Sequence, residues 1–159
     1  MADRLGIKCK AYRNTATYGS PTWSEMTHIS DFTVNITWDE ADGSSRLSRV
    51  KMSAKTMLGL EFSGKIKTNL SDANYVAVRD AMYGDGVLDI LVMEDGDNAT
   101  ENNTGFRCDV QVFQGNMDQG MQASLYKDFV MKPAATDNLP QLATVGGGGS
   151  ITYAELAAA

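Results

Sequence analysis

One histidine, two cysteines and three prolines in a chain of 159 residues exclude much chemistry before any motif is sought. His28 is the sole histidine, and no cysteine or acid stands at metal-ligand spacing around it, so a packing or surface role is expected rather than catalysis or zinc binding. Cys9 and Cys108 lie far apart, each inside an alternating pattern, and are read as buried and reduced. A disulfide between them is the alternative, and it would need their strands to be neighbours. The chain has no GxxxxGK loop, no GxGxxG after a strand, and no basic patch studded with aromatics that would stack single-stranded bases. No run approaches the roughly 20 apolar residues of a membrane helix, and the N-terminus lacks the apolar centre of a signal peptide, so synthesis in the cytosol and no membrane partner are expected. Neither an enzyme nor a cofactor is indicated.

What is present is ordinary globular material: 43% hydrophobic, 21% charged, 17.2 kDa, sized for one core. The formal net charge of −6 argues against tight binding of a phosphate backbone over the whole surface. Acid is concentrated between Asp85 and Asp109, where Asp85, Asp89, Glu94, Asp95, Asp97, Glu101 and Asp109 face only Arg107. The N-terminal stretch leans the other way, with Arg4, Lys8, Lys10 and Arg13 against Asp3, and suits an acidic neighbour such as another copy of the chain.

Period-two alternation dominates. Ile7, Cys9 and Ala11 mark a first strand over residues 7–13, and Trp23 a short one over 22–26. Phe32, Val34, Ile36 and Trp38 alternate with Thr33, Asn35 and Thr37, the clearest strand in the chain. Residues 39–49 read as an exposed loop or a long flexible hairpin tip. Alternation returns at Val50 and Met52 and over Leu58, Leu60, Phe62, Gly64 and Ile66, with Gly64 a bulge or a point of close approach. Ser71 as N-cap, Asp72 at the positive end of the dipole and Gly84 as stop place one helix over 72–83, docking through Tyr75, Val78, Ala81 and Met82. The run 87–93 is almost wholly apolar apart from Asp89, the signature of a strand covered on both faces. Residues 106–112 and 123–131 supply the last two strands, ending at Pro133.

The body is therefore read as 1–133, followed by a flexible Gly-rich linker over 134–150 and a C-terminal arm or appended peptide over 151–159. The segment Ile151-Thr152-Tyr153-Ala154-Glu155-Leu156 fits the loose Ile-x-Tyr-x-x-Leu form of a tyrosine phosphorylation motif. The readings left open are a grafted peptide, an arm pairing with a neighbouring copy, and a disordered end. The acids of 95–101 lack calcium-loop spacing and read as a solvated turn. Four Asn-x-Ser/Thr triplets carry no weight without a secretory signal, and nine methionines read as gap-fillers.

Several phrases taken in order resemble the tail tube proteins of long-tailed bacteriophages and related tail-like particles. They are Leu5 to Asn14, Ser20 to Glu25, Ile29 to Ile36 followed by Asp39-Glu40-Ala41-Asp42, Leu60-Glu61-Phe62, the helix, residues 87–93, Gly105 to Asp109, and Phe129 to Pro133. The Gly-rich extension departs from that pattern. The resemblance implies a mainly β fold of two packed antiparallel sheets, a sandwich or squashed barrel, with one flanking α-helix. It implies a virion protein forming stacked, hexameric rings, a tube through which DNA leaves without being tightly bound. It further implies partners among other tail proteins (tape measure, tail tip, terminator), with assembly in the host cytoplasm. Asp39, Glu40, Asp42, Arg46 and Arg49 are then candidates for contacts between subunits or rings, and Asp89 and Asp109 for acids lining the lumen. A closed ring would also satisfy exposed strand edges that otherwise invite aggregation. The competing class is a monomeric β-sandwich binding or adhesion module with the 94–104 loop at its recognition edge, and a third is an engineered scaffold displaying residues 151–156.

Overall fold

The computed structural model describes residues 10–44, 51–118 and 125–156. It is mainly β, with nine strands and one α-helix among those residues. The elements run β1 (Ala11–Asn14), β2 (Trp23–Glu25), β3 (Ile29–Asp42), β4 (Ser53–Lys67), α1 (Ala73–Tyr83), β5 (Leu88–Met93), β6 (Thr104–Asp118), β7 (Tyr126–Pro133), β8 (Gln141–Val145) and β9 (Ile151–Glu155). All the ladders are antiparallel, in the order β2-β1-β5-β6-β7-β4-β3, with β8 added to β6 and β9 to β8.

One continuous hydrogen-bonded path, curled into a half-barrel, takes the place of the two packed sheets expected. The reason lies in β6, which is long enough to serve three neighbours. Residues Gly105 to Val110 pair with β5, while the opposite edge pairs first with β8 and then, from Val110 onward, with β7. A bulge between Val112 and Gln114 bends the strand and strengthens its local twist.

Strand β5 divides two apolar clusters, because its side chains alternate between them. Ile90 and Val92 join Phe62, Ile66, Tyr75, Val78, Cys108, Val110, Phe129 and Met131 in the larger core under α1. Leu91 and Met93 face the other way and pack with Tyr12, Ala143 and Val145, beneath Trp23, Ile151 and Tyr153. This explains why 87–93 is nearly continuous apolar sequence. Helix α1 is capped by Asp72, whose carboxylate accepts the Asn74 N–H at 3.0 Å, one residue later than the Ser71 expected. Asp72 also meets His28 Nδ1 at 2.8 Å, which gives the lone histidine a packing partner. Gly64 is a point of close approach: a Cβ there would sit 3.1 Å from the Phe129 ring and 3.2 Å from the Ser30 carbonyl, opposite the β3 bulge between Ser30 and Thr33.

The largest difference from the sequence reading lies in the C-terminal segment after Pro133. Residues 141–145 and 151–155 are strands, not linker and loose arm, and β8 zips onto β6 from Thr104 to Arg107. Leu142 through Val145 and Ile151 through Tyr153 alternate in the way a hairpin demands. The glycines between them supply a tight reversal in which Gly148 and Gly149 hold φ of 75° and 78°, a conformation β-branched residues resist. Ile151 to Glu155 therefore pairs with its own chain.

Candidate assembly surface

Strands β3 and β4 are 14 and 15 residues long, but the body uses only part of them. From Asn35 to Asp42 every residue of β3 is exposed, as are Ser53 to Met57 on β4. Ile36 still pairs with the buried Leu60, so the six positions beyond it, Thr37 to Asp42, project roughly 20 Å at about 3.4 Å per residue. Of the two readings of 39–49, an exposed loop or a hairpin tip, the described part is strand as far as Asp42, because Glu40, Ala41 and Asp42 pair with Lys55, Ala54 and Ser53. Register puts Val34, Ile36 and Trp38 opposite Phe62, Leu60 and Leu58 on one face. Phe62 and Leu60 are buried, yet Ile36 is 47% exposed and Trp38 39%, so the apolar stripe runs out of the core onto a surface. Lys55 stands 5.2 Å from the Trp38 ring and shields part of it.

Between the two ends of the sheet path lies a groove of about 970 Å³. Its apolar lining includes Met26 beside β2, Ile29, Phe32, Val34 and Ile36 of β3, and Phe106 of β6. The barrel is open there. Strands β2, β3 and β9 each pair on one side only among the described residues, leaving three edges with free backbone donors and acceptors.

A second cluster is closed. Arg107, 3% exposed, donates from Nε and Nη2 to the two Asp89 carboxylate oxygens at 3.1 and 2.7 Å, and from Nη2 to the Tyr18 carbonyl at 2.7 Å. Its guanidinium lies 3.8 Å from the Tyr18 ring centre, 4.7 Å from Tyr153 and 5.3 Å from Trp23. Trp23 Nε1–H donates to the Tyr153 hydroxyl at 3.2 Å, and Asn14 Nδ2 donates to Asp89 at 2.9 Å. Burial works against the guanidinium charge, and its hydrogen bonds to the Asp89 carboxylate more than offset it, holding the Arg107 pKa above its ordinary value. Every group is satisfied, and the cluster ties β5, β6, the β1–β2 connection and β9 together.

No protein-family model and no curated protein sequence matches the chain. Solved structures do. The chain superposes on the tail of an empty GTA particle of C6 symmetry with a TM-score of 0.67 at 8% identity, covering 96% of this chain and 99% of that one. The SPP1 tail tube gives 0.66 at 9% identity, over 82% and 75% of the two chains. A chain of the native gene transfer agent virion gives 0.62 at 9%, over 96% and 99%. The chain has the tail-tube fold.

Within the tail-tube fold the sequence-predicted residues separate into three groups. Asp39, Glu40 and Asp42 lie together on the exposed β3 end of the arm. Asp42 is held below the usual carboxylate range by hydrogen bonding from Ser44, whose N–H it accepts at 2.9 Å. Arg46 and Arg49 fall outside the described residues, as does Cys9.

Asp89 and Asp109 form the second group. Both sit on the β5–β6 face covered by the C-terminal hairpin and its approach: the Asp89 side chain is 10% exposed and bonded to Arg107, and Asp109 is 7% exposed and accepts from Thr136 Oγ1 at 3.0 Å and Asn138 Nδ2 at 2.8 Å. The third group is the acidic turn, where Asp97 accepts from the Ala99 N–H and Thr100 Oγ1 and so organises its own loop.

Cys108 is a free, buried thiol whose pKa burial pushes up to about 12. Sequence reasoning missed the Arg107 cage and Tyr153 within it. The available signal was Arg107 as the one base in an acidic segment, a residue type rarely buried without a partner.

Proposed function

We propose that this chain is a structural tube subunit: copies complete one another's sheets, close into rings of six, and stack into the tail tube of a phage or tail-like particle through which DNA passes. The observation that carries the reading is the β3–β4 arm, which extends roughly 20 Å past the core, with Ile36 uncovered at its base and Trp38 along it. An isolated protein gains nothing from such an arm, and free edges flanking an apolar groove are a hazard to a monomer. Assembly resolves both. Six-fold closure is supported by the C6 symmetry of the gene transfer agent tail, and the arm acids Asp39, Glu40 and Asp42 are contacts to a neighbouring copy.

In this role the chain catalyses nothing. It sits in the virion tail after assembly in the host cytoplasm, alongside other tail proteins at the ends of the tube. Its net negative charge lets DNA pass without retention. Light scattering and negative-stain microscopy of purified protein test the reading. Rings or tubes are expected, and Trp38→Ser, on the exposed arm, leaves the subunit folded but assembly impaired. A species that stays at 17.2 kDa at high concentration would instead favour the monomeric binding module and sink the proposal.

A further inference from the structure

Lysine 127 is buried, 4% exposed, on β7 beneath the end of α1. Its ammonium donates to the Tyr83 hydroxyl at 3.0 Å and lies 5.1 Å from the Tyr83 ring and 5.6 Å from the Tyr75 ring. Burial works against the charge, but hydrogen bonds to the two tyrosines outweigh it, so the group stays protonated. Four other cations meet carboxylates: Lys10 with Glu25, Arg79 with Asp80, Arg107 with Asp89, Lys132 with Glu61. Lys127 meets only phenols among its recorded contacts. An ammonium in a protein interior ordinarily has a counter-charge, because desolvation costs several kcal/mol.

Space for that counter-charge exists. Lys127 lines a pocket of about 160 Å³ with Tyr83, Phe113, Gln114 and Asn116, and its mouth carries two aromatic rings, Tyr83 at 71% and Phe113 at 62% exposure. That volume equals the liquid share of roughly five waters, enough for the end of an acidic side chain. The chain's own arm acids cannot fill it. Lys127 stands opposite Ile66 and Glu40 opposite Lys55, and the eleven residue steps along β4 from Lys55 to Ile66 span about 37 Å.

We propose that the Lys127 pocket is a socket between copies, receiving a carboxylate, Asp39 or Glu40, from the arm of a second copy. The charges are complementary and both partners are otherwise uncommitted: the arm ends in acids, and the socket holds a cation without an acid. The inference rests on the tube reading above and adds the receiving site. The aromatic rims exclude water around the pair, which strengthens the contact and fixes the seating of the arm.

The test is the critical concentration for assembly by light scattering, with subunit folding followed by circular dichroism. Lys127→Met and Asp39→Asn/Glu40→Gln are each expected to raise it at least about tenfold, and the triple variant to raise it no further, since all remove one contact. The arm variant alters exposed residues only, so it reports even where Lys127→Met fails to fold. A Glu40→Cys/Asn116→Cys pair is expected to link neighbouring copies under mild oxidation of assembled material. Tubes forming at the wild-type concentration with the arm acids neutralised, additive losses in the triple variant, or no cross-link would overturn the socket alone. A wild-type chain that never assembles would overturn the tube reading and the socket with it.

Discussion

Replacing Arg107 by methionine should show how firmly the C-terminal hairpin belongs to the body. The substitution keeps most of the apolar stem but deletes the guanidinium, leaving the Asp89 carboxylate, 10% exposed, with the Asn14 amide as its only direct bond. Removing one partner of a buried ion pair costs about 3–5 kcal/mol, most of it from the stranded charge. An unfolding entropy of about 2.1 cal/mol/K per residue amounts to roughly 0.33 kcal/mol/K for a chain of this length, so Tm should fall by about 9–15 °C. The cage reports on itself. Trp23 packs beside Arg107 and bonds Tyr153, whereas Trp38 lies on the arm, so the emission change on mutation arises from Trp23. Thermal and urea unfolding below the assembly concentration measure the loss. Arg107→Met/Asp89→Leu should recover much of it, because an apolar pair of similar volume leaves no charge unmatched. A loss under about 1 kcal/mol in the single variant, or a double variant no better than the single, would refute this account.

Cys108 should resist thiol reagents at neutral pH at a rate set by unfolding. Its thiol titrates near 12 in the folded state against 9.0 ordinarily, so its contribution to stability is complete below about pH 9 and lost as pH rises toward 12. Comparing Cys108→Ala with wild type across that range isolates the contribution from the tyrosines and lysines that titrate nearby. In Gly105→Ala the new methyl would press on the Val92 carbonyl in the β5–β6 ladder, where the backbone has little freedom to retreat, and a loss of about 1–3 kcal/mol is expected in urea unfolding. Asp109→Ala should strand the Thr136 hydroxyl and Asn138 amide and raise proteolytic cleavage within residues 134–140 well before the core opens. Unchanged cleavage there would mean that the segment is held by other contacts.

Strands whose faces differ were legible in the sequence, because a buried face leaves a period of two. Phe32 to Trp38 and Leu58 to Ile66 fall in strands β3 and β4, and the unbroken run around Ile90 to Met93 marked the one strand with a core on each side. The arm was harder to see. Its end, Asp39 to Asp42, is exposed on both faces, so pairing leaves no hydrophobic trace and the composition reads as loop. The C-terminal hairpin failed for the opposite reason: Gly146 to Gly149 has the composition of a linker, and only its docking on β6 distinguishes a tight reversal from a tether. Socket and cage were invisible together. Lys127 and Arg107 acquire their surroundings from register and curl, which place Tyr83 beside the one and Tyr18 and Tyr153 beside the other across long sequence separations.

Charge is where sequence and structure part most consequentially. The segment from Asp85 to Asp109 reads as a block of negative potential, yet its effective field is smaller than its count. Arg107 neutralises Asp89 at contact, Asp109 is enclosed by Thr136 and Asn138, and Asp97 is spent organising its own turn. Only charge that solvent or a partner can reach acts at a distance. Among the described residues the acids of the arm are exposed to a neighbouring copy, and Lys127 is a buried ammonium that meets no carboxylate. A polymer built from copies that each carry −6 must overcome mutual repulsion at every addition. Seating arm carboxylates on buried ammonium groups would convert part of that repulsion into the contact that selects the next copy.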